Sequence, residues 1–148
     1  MIRIGLFTLF MFFAGCSTAQ HTWPDMSRDL VWSAMVAAAN APDYDSNDPK
    51  KRWIVVENEV DADATTSHIF INRKLSRSLK LPLQKEQKDT RDWLFTIQLL
   101  PANPPLVTFD TVYKTKELDY NAFVPARTLD EAERYFELVD LLLQKPTD

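Results

Sequence analysis

Trp93-Leu94-Phe95-Thr96-Ile97-Gln98-Leu99-Leu100 decides the fold. Trp93, Phe95, Ile97 and Leu99 fall at every second position, the period at which a strand turns one face inward. Proline-rich Pro101-Ala102-Asn103-Pro104-Pro105 stops this run. Leu106 to Lys116 then reads as a following strand, with Val107, Phe109 and Tyr113 aligned. Leu94, Leu100, Leu106 and Val112 fall on the opposite faces of these two strands. If helices cover one face only, those four side chains leave an apolar patch.

Upstream lies a charged connection, Pro82 to Asp89, and before it two further strands. Trp53 to Asp61 is predicted to place Ile54, Val56 and Val60 on one face and Glu57, Glu59 and Asp61 on the other. Ser67 to Leu79 carries Ile69, Ile71, Leu75 and Leu79 on one face. The turn Ala62 to Thr66 joins the two as an antiparallel hairpin. β-Branched and aromatic residues are dense in all four segments.

A helix flanks the strands on either side. Ser27 is an N-cap for Arg28 to Asn40, where Leu30, Val31, Ala34, Met35 and Ala38 recur at helical spacing. Ala41-Pro42 ends it. Near the other end, Thr128 and Glu131 read as a capping box, followed by Leu129, Ala132, Tyr135, Phe136, Val139, Leu142 and Leu143 at intervals of three and four. The expected fold is α+β: helix, four-stranded antiparallel sheet, helix, with both helices on one face of the sheet.

The chain opens Met1-Ile2-Arg3, then runs apolar from Ile4 to Phe13, the order of an export signal. The run is about half the 20 residues that a spanning helix needs. It closes on Phe13-Ala14-Gly15-Cys16, which resembles the lipobox of bacterial lipoproteins, with Phe where Leu is usual. The resemblance implies cleavage after Gly15 and acylation of Cys16, the only cysteine. A membrane anchor of two or three acyl chains follows, enough for stable attachment. Ser17, where Asp tends to retain a lipoprotein in the inner membrane, implies the periplasmic face of the outer membrane in a Gram-negative cell. The chain also resembles small planctomycete lipoproteins through Arg52-Trp53, Val56-Glu57-Asn58 and Tyr135-Phe136. In architecture it resembles accessory lipoproteins of outer-membrane assembly. Neither resemblance implies an activity.

This divides the chain into a leader (1–15), a tether (16–25) and one domain (26–148), a size that suits a single core. Both glycines, Gly5 and Gly15, lie in the leader. A glycine-free body excludes the P-loop, the dinucleotide fingerprint and the G-x-S-x-G elbow, all of which need glycine. The formal net charge of −4 and the lack of a basic stretch longer than Lys50-Lys51-Arg52 argue against nucleic acid as a partner.

Asp43-Tyr44-Asp45-Ser46-Asn47-Asp48 starts like a calcium loop but has Asp48 and Ile54 where Gly and Glu belong, and reads instead as an Asx-rich turn. The strongest polar constellation is Glu57, Glu59 and Asp61, with Asp63 continuing the series. A register joining residues 61 and 68 puts His68, Asn72 and Lys74 beside them. A histidine near carboxylates suits general-base chemistry, while Lys74 opposite Glu57 suits a solvated sheet face. Arg73, Arg91 and Asp92 read as surface pairing, and His21 as part of the tether. No cofactor or metal set is implied. Three functions remain open: an envelope protein that binds a protein partner; a carrier or sensor with a small or lipidic ligand between Trp32, Trp93 and Phe109; and a hydrolase using Glu57, Glu59, Asp61 and His68.

Overall fold

In the computed structural model, residues 18–48, 52–79, 82–114 and 124–144 are described. The alternating run at Trp93 is the centre of a longer strand than the sequence suggests. In chain order the elements are β1 (Ala19–Thr22), α1 (Arg28–Asn40), β2 (Ile54–Asp63), β3 (His68–Leu79), β4 (Gln87–Leu100), β5 (Leu106–Lys114) and α2 (Val124–Gln144). The strands form one antiparallel sheet in the order β1-β5-β4-β3-β2. The α+β class and the helix–strands–helix order stand, but the sheet has five strands and not four.

The additional strand comes from the segment expected to be tether. Ala19 to Thr22 pairs with Phe109 to Leu106, covering the edge of β5. Trp23 follows directly; it is buried, and its indole N–H donates to Asp140 at 2.5 Å. His21 stacks on Phe136 with ring centroids 5.0 Å apart. Four residues without strong alternation carry little strand signal, and only the unpaired edge of β5 makes them a strand.

Both helices pack on the face that carries Ile69, Ile71, Leu75, Trp93, Phe95, Ile97, Leu99, Val107 and Phe109, all buried. Val31, Met35, Ala38 and Ala39 of α1, and Ala132, Tyr135, Phe136 and Val139 of α2, complete the core. Small residues on α1 let the helices approach closely, and the Tyr135 hydroxyl donates to the Met35 carbonyl at 2.9 Å. Arg28, in the first turn of α1, donates to the carbonyls of Leu99 and Leu100 and to the Ser67 hydroxyl, pinning the helix start to the β3–β4 end of the sheet.

Leu30 and Leu129, expected in the apolar repeats of the two helices, are 53% and 55% exposed, and two further expectations of local structure fail for identifiable reasons. A β-bulge between Val55 and Glu57 reverses the facing of the start of β2. Trp53 is therefore buried, whereas Ile54 and Val56 are exposed. The second helix starts at Val124, four residues before the supposed cap, with Pro125 in its first turn, where a missing N–H costs little. Thr128 thus lies inside the helix, buried, with its hydroxyl on that of Thr111 in β5. Leu79, Val112 and Tyr113 were also placed on strand faces by the sequence; their side chains lie outside those described.

Candidate functional site

The face of the sheet away from the helices carries Glu57, Glu59, Asp61 and Asp63 on β2, and His68, Phe70, Asn72 and Lys74 on β3. Leu94, Thr96 and Gln98 follow on β4, and Leu106, Thr108 and Asp110 on β5. Among the described residues no helix lies over this face. Phe70 is 49% exposed and Leu94, Leu100 and Leu106 are half-buried. Phe70 and Leu94, diagonal neighbours, floor a shallow groove of about 290 Å³ with Glu59, Asp61, Asn72 and Thr96 along it. The groove lies on the edge side of the sheet, where β2 has no outer neighbour among the described residues.

The hairpin register is two residues away from the one expected. His68 pairs with Asp63, Phe70 with Asp61, Asn72 with Glu59 and Lys74 with Glu57. A two-residue shift preserves the face of every side chain but moves His68 away from Glu59 and Asp61. Its imidazole stacks on Phe70 at 6.0 Å, and its Nδ1 sits 2.9 Å from the Thr66 carbonyl. Asp63 is occupied by the turn: hydrogen bonds from Thr65 and Thr66 hold its carboxyl below the ordinary range. Asn72 donates to Glu59 at 3.1 Å, and the Lys74 ammonium lies 3.8 Å from Glu57. Glu57 and Glu59 are thus matched by Lys74 and Asn72, while Asp61 stands opposite Phe70, away from the imidazole. Among the described residues no group of three His, Cys, Asp or Glu is placed to hold a metal ion.

A second polar cluster lies on the helix side of the sheet, where the sequence predicted only surface pairing. Arg73 is 5% exposed. Its Nε donates to Asn58 at 2.8 Å, one terminal nitrogen to the Tyr44 hydroxyl at 3.1 Å, and the other to the Ala39 carbonyl at 3.0 Å. It also lies over the rings of Tyr44 and Phe95. Tyr44 in turn donates to the Glu131 carboxylate at 2.6 Å. Burial pushes Glu131 above the ordinary carboxylate range, against the opposing pull of the Tyr44 hydrogen bond and of Arg134, Arg73 and Arg91. Burial raises the Tyr44 and Tyr135 phenols as well, so both stay protonated.

The space left in this cluster is about 10 Å³, room for one water at most. Its chemistry is structural: Arg73 and Asn58 satisfy carbonyls at the C-terminal end of α1, where a positive charge also meets the helix dipole. The signal for burial was present in the alternation itself, because Arg73 shares its strand face with Ile69, Ile71 and Leu75. Glu131 likewise shares a helical stripe with Thr128, Tyr135 and Val139.

The remaining candidates separate cleanly. Trp93 and Phe109 are fully buried and Trp32 half-buried, packed as core rather than as the wall of a ligand chamber. The guanidinium groups of Arg77 and Arg91 both lie over the Trp53 ring, at 4.4 and 4.2 Å. The loop at Asp43 is an Asx turn, with the Asp43 carboxylate accepting from the Asp45 N–H. Cys16 and the leader lie outside the described residues. No family model matches the chain, and no curated protein matches it either.

Proposed function

We propose that this protein is a non-enzymatic lipoprotein of the cell envelope, anchored through acylated Cys16, that binds another protein on its uncovered sheet face. Ser17 favours the periplasmic face of the outer membrane where the cell has two membranes. The observation that carries the binding role is the pairing of a sheet face that no described helix covers with a shallow groove floored by Phe70 and Leu94. Isolated exposed apolar residues are ordinary; an apolar floor with a polar rim is the composition of a recognition surface.

The two rival readings have less support. A carrier needs an enclosed apolar volume, and the described space between sheet and helices is water-sized. A hydrolase on Glu57, Glu59, Asp61 and His68 needs the imidazole poised among the carboxylates, and the register pairs it with Asp63 instead.

Photocrosslinkers placed at Phe70 and at Leu94 in the intact lipoprotein test the reading. Crosslinks to one defined protein, lost in Phe70→Glu, are expected. Recovery of the monomer alone from both positions would falsify it.

A further inference from the structure

The pairing of β1 with β5 shortens the tether to almost nothing, and from this we propose that the β1–α2 corner of the domain rests against the bilayer. The inference builds on acylation of Cys16 and adds the orientation of the anchored domain. Thr18 is already fixed to the fold, with its hydroxyl 2.5 Å from Asp110, and Ala19 pairs with Phe109. Two peptide steps separate Thr18 from Cys16, so the lipidated residue lies within about 7 Å of the sheet edge. A flexible tether to residue 25 would have let the domain turn freely; a zipped strand does not.

The surface next to that exit point suits a lipid headgroup layer. A groove of about 400 Å³ runs between β1 and α2, with Ala19, Leu129, Ala132 and Phe136 supplying its apolar part. Leu129 is 55% exposed there, at a height where an apolar side chain can enter the interface. Glu133 and Glu137 line the same groove, which matches ammonium-bearing zwitterionic headgroups and disfavours anionic ones. The sheet then stands on its β1 edge. The opposite edge, β2, lies four strand spacings away, about 19 Å at the usual separation. Its open face looks sideways along the membrane, so a partner that reaches Phe70 and Leu94 is itself membrane-bound or membrane-apposed.

The test uses the full lipidated protein in phosphatidylethanolamine–phosphatidylcholine vesicles. Acylation consumes the only native thiol, so Leu129→Cys and Asp61→Cys each give one reactive site for a fluorophore. With nitroxide-headgroup lipids, quenching at position 129 is expected to exceed that at 61 roughly twofold or more, given the ~19 Å between the sheet edges. Insertion of a long Gly/Ser linker after Ser17 is expected to erase the difference, and added phosphatidylglycerol to reduce it. Equal quenching at the two positions without the linker, or stronger quenching at 61, overturns the orientation. Mass analysis of the same preparation separates the two layers: a protein without fatty acid sinks the anchor, whereas a fully acylated protein with equal quenching sinks only the placement.

Discussion

The Tyr44 hydroxyl hydrogen-bonds Glu131 at 2.6 Å, joining the loop after α1 to the buried stripe of α2 across 87 residues of sequence. Arg73 completes the link from the sheet side. Three elements that share no local sequence signal therefore meet at one buried phenol. The network costs desolvation, and its members hold only while each has its partner.

Arg73 should be among the most sensitive polar positions in the domain. Arg73→Ala leaves the Ala39 carbonyl and Glu131 buried without the guanidinium. Removing a buried guanidinium that makes three hydrogen bonds is expected to cost about 3 kcal/mol. Urea unfolding measures it, and a loss under 1 kcal/mol would show that the cluster is not structural.

Glu131 sets a pH dependence of definite sign. Its folded value is raised above the unfolded one, so between the two the folded state holds more protons than the unfolded. Stability contributed by this site is therefore present below the unfolded carboxylate value and falls as pH rises through the shifted range. Glu131→Gln keeps an acceptor for Tyr44 and removes the titration. The variant's melting temperature is expected to match or exceed the wild type at neutral pH, with the advantage shrinking toward acid. A wild-type advantage that grows toward neutral pH would contradict this assignment.

The fifth strand makes the segment near residue 20 part of the folding unit. Trp23→Ala opens the core and removes the indole donor to Asp140, and should cost about 3–5 kcal/mol. A variant starting at Asp25 uncovers β5 and should aggregate more readily than one starting at Thr18. Calorimetry and light scattering distinguish this from a free tether, whose removal changes neither.

The β2–β3 face should behave as a solvated surface. A double-mutant cycle on Glu57 and Lys74 is expected to give a coupling below about 1 kcal/mol, given their exposure. His68→Ala should leave stability within about 0.5 kcal/mol. Loss of a hydrolytic activity in His68→Ala, with the fold intact, would instead revive the enzymatic reading.

Local periodicity was enough to place β3, the second half of β4, β5 and most of the buried face of α1, because those residues face one core; it failed at Leu30, which is 53% exposed, and at Gln87 to Asp89, where polar residues begin β4. The parts that escaped it depend on partners far along the chain. The bulge after Val55 reverses the facing of Ile54 and Val56, and no residue in that stretch announces the reversal. Glu131 looked like a cap because Thr128 stands three residues before it, yet the helix already runs through both. The constellation of Glu57, Glu59, Asp61 and His68 was placed on the correct face but in a register displaced by two, since period-two alternation cannot distinguish such shifts.

By itself the sequence determined the α+β class, the helix–strands–helix order, the inward faces of the central strands and the exclusion of glycine-dependent nucleotide sites. Each of these rests on short-range repetition or on composition, which no fold alters. The folded structure alone decided that Ala19 to Thr22 is a strand, that β2 carries a bulge after Val55, and that Tyr44 meets Glu131. Those outcomes depend on which hydrogen-bonding edges and apolar surfaces remain unpaired once the other elements have docked, and no window of sequence contains that information.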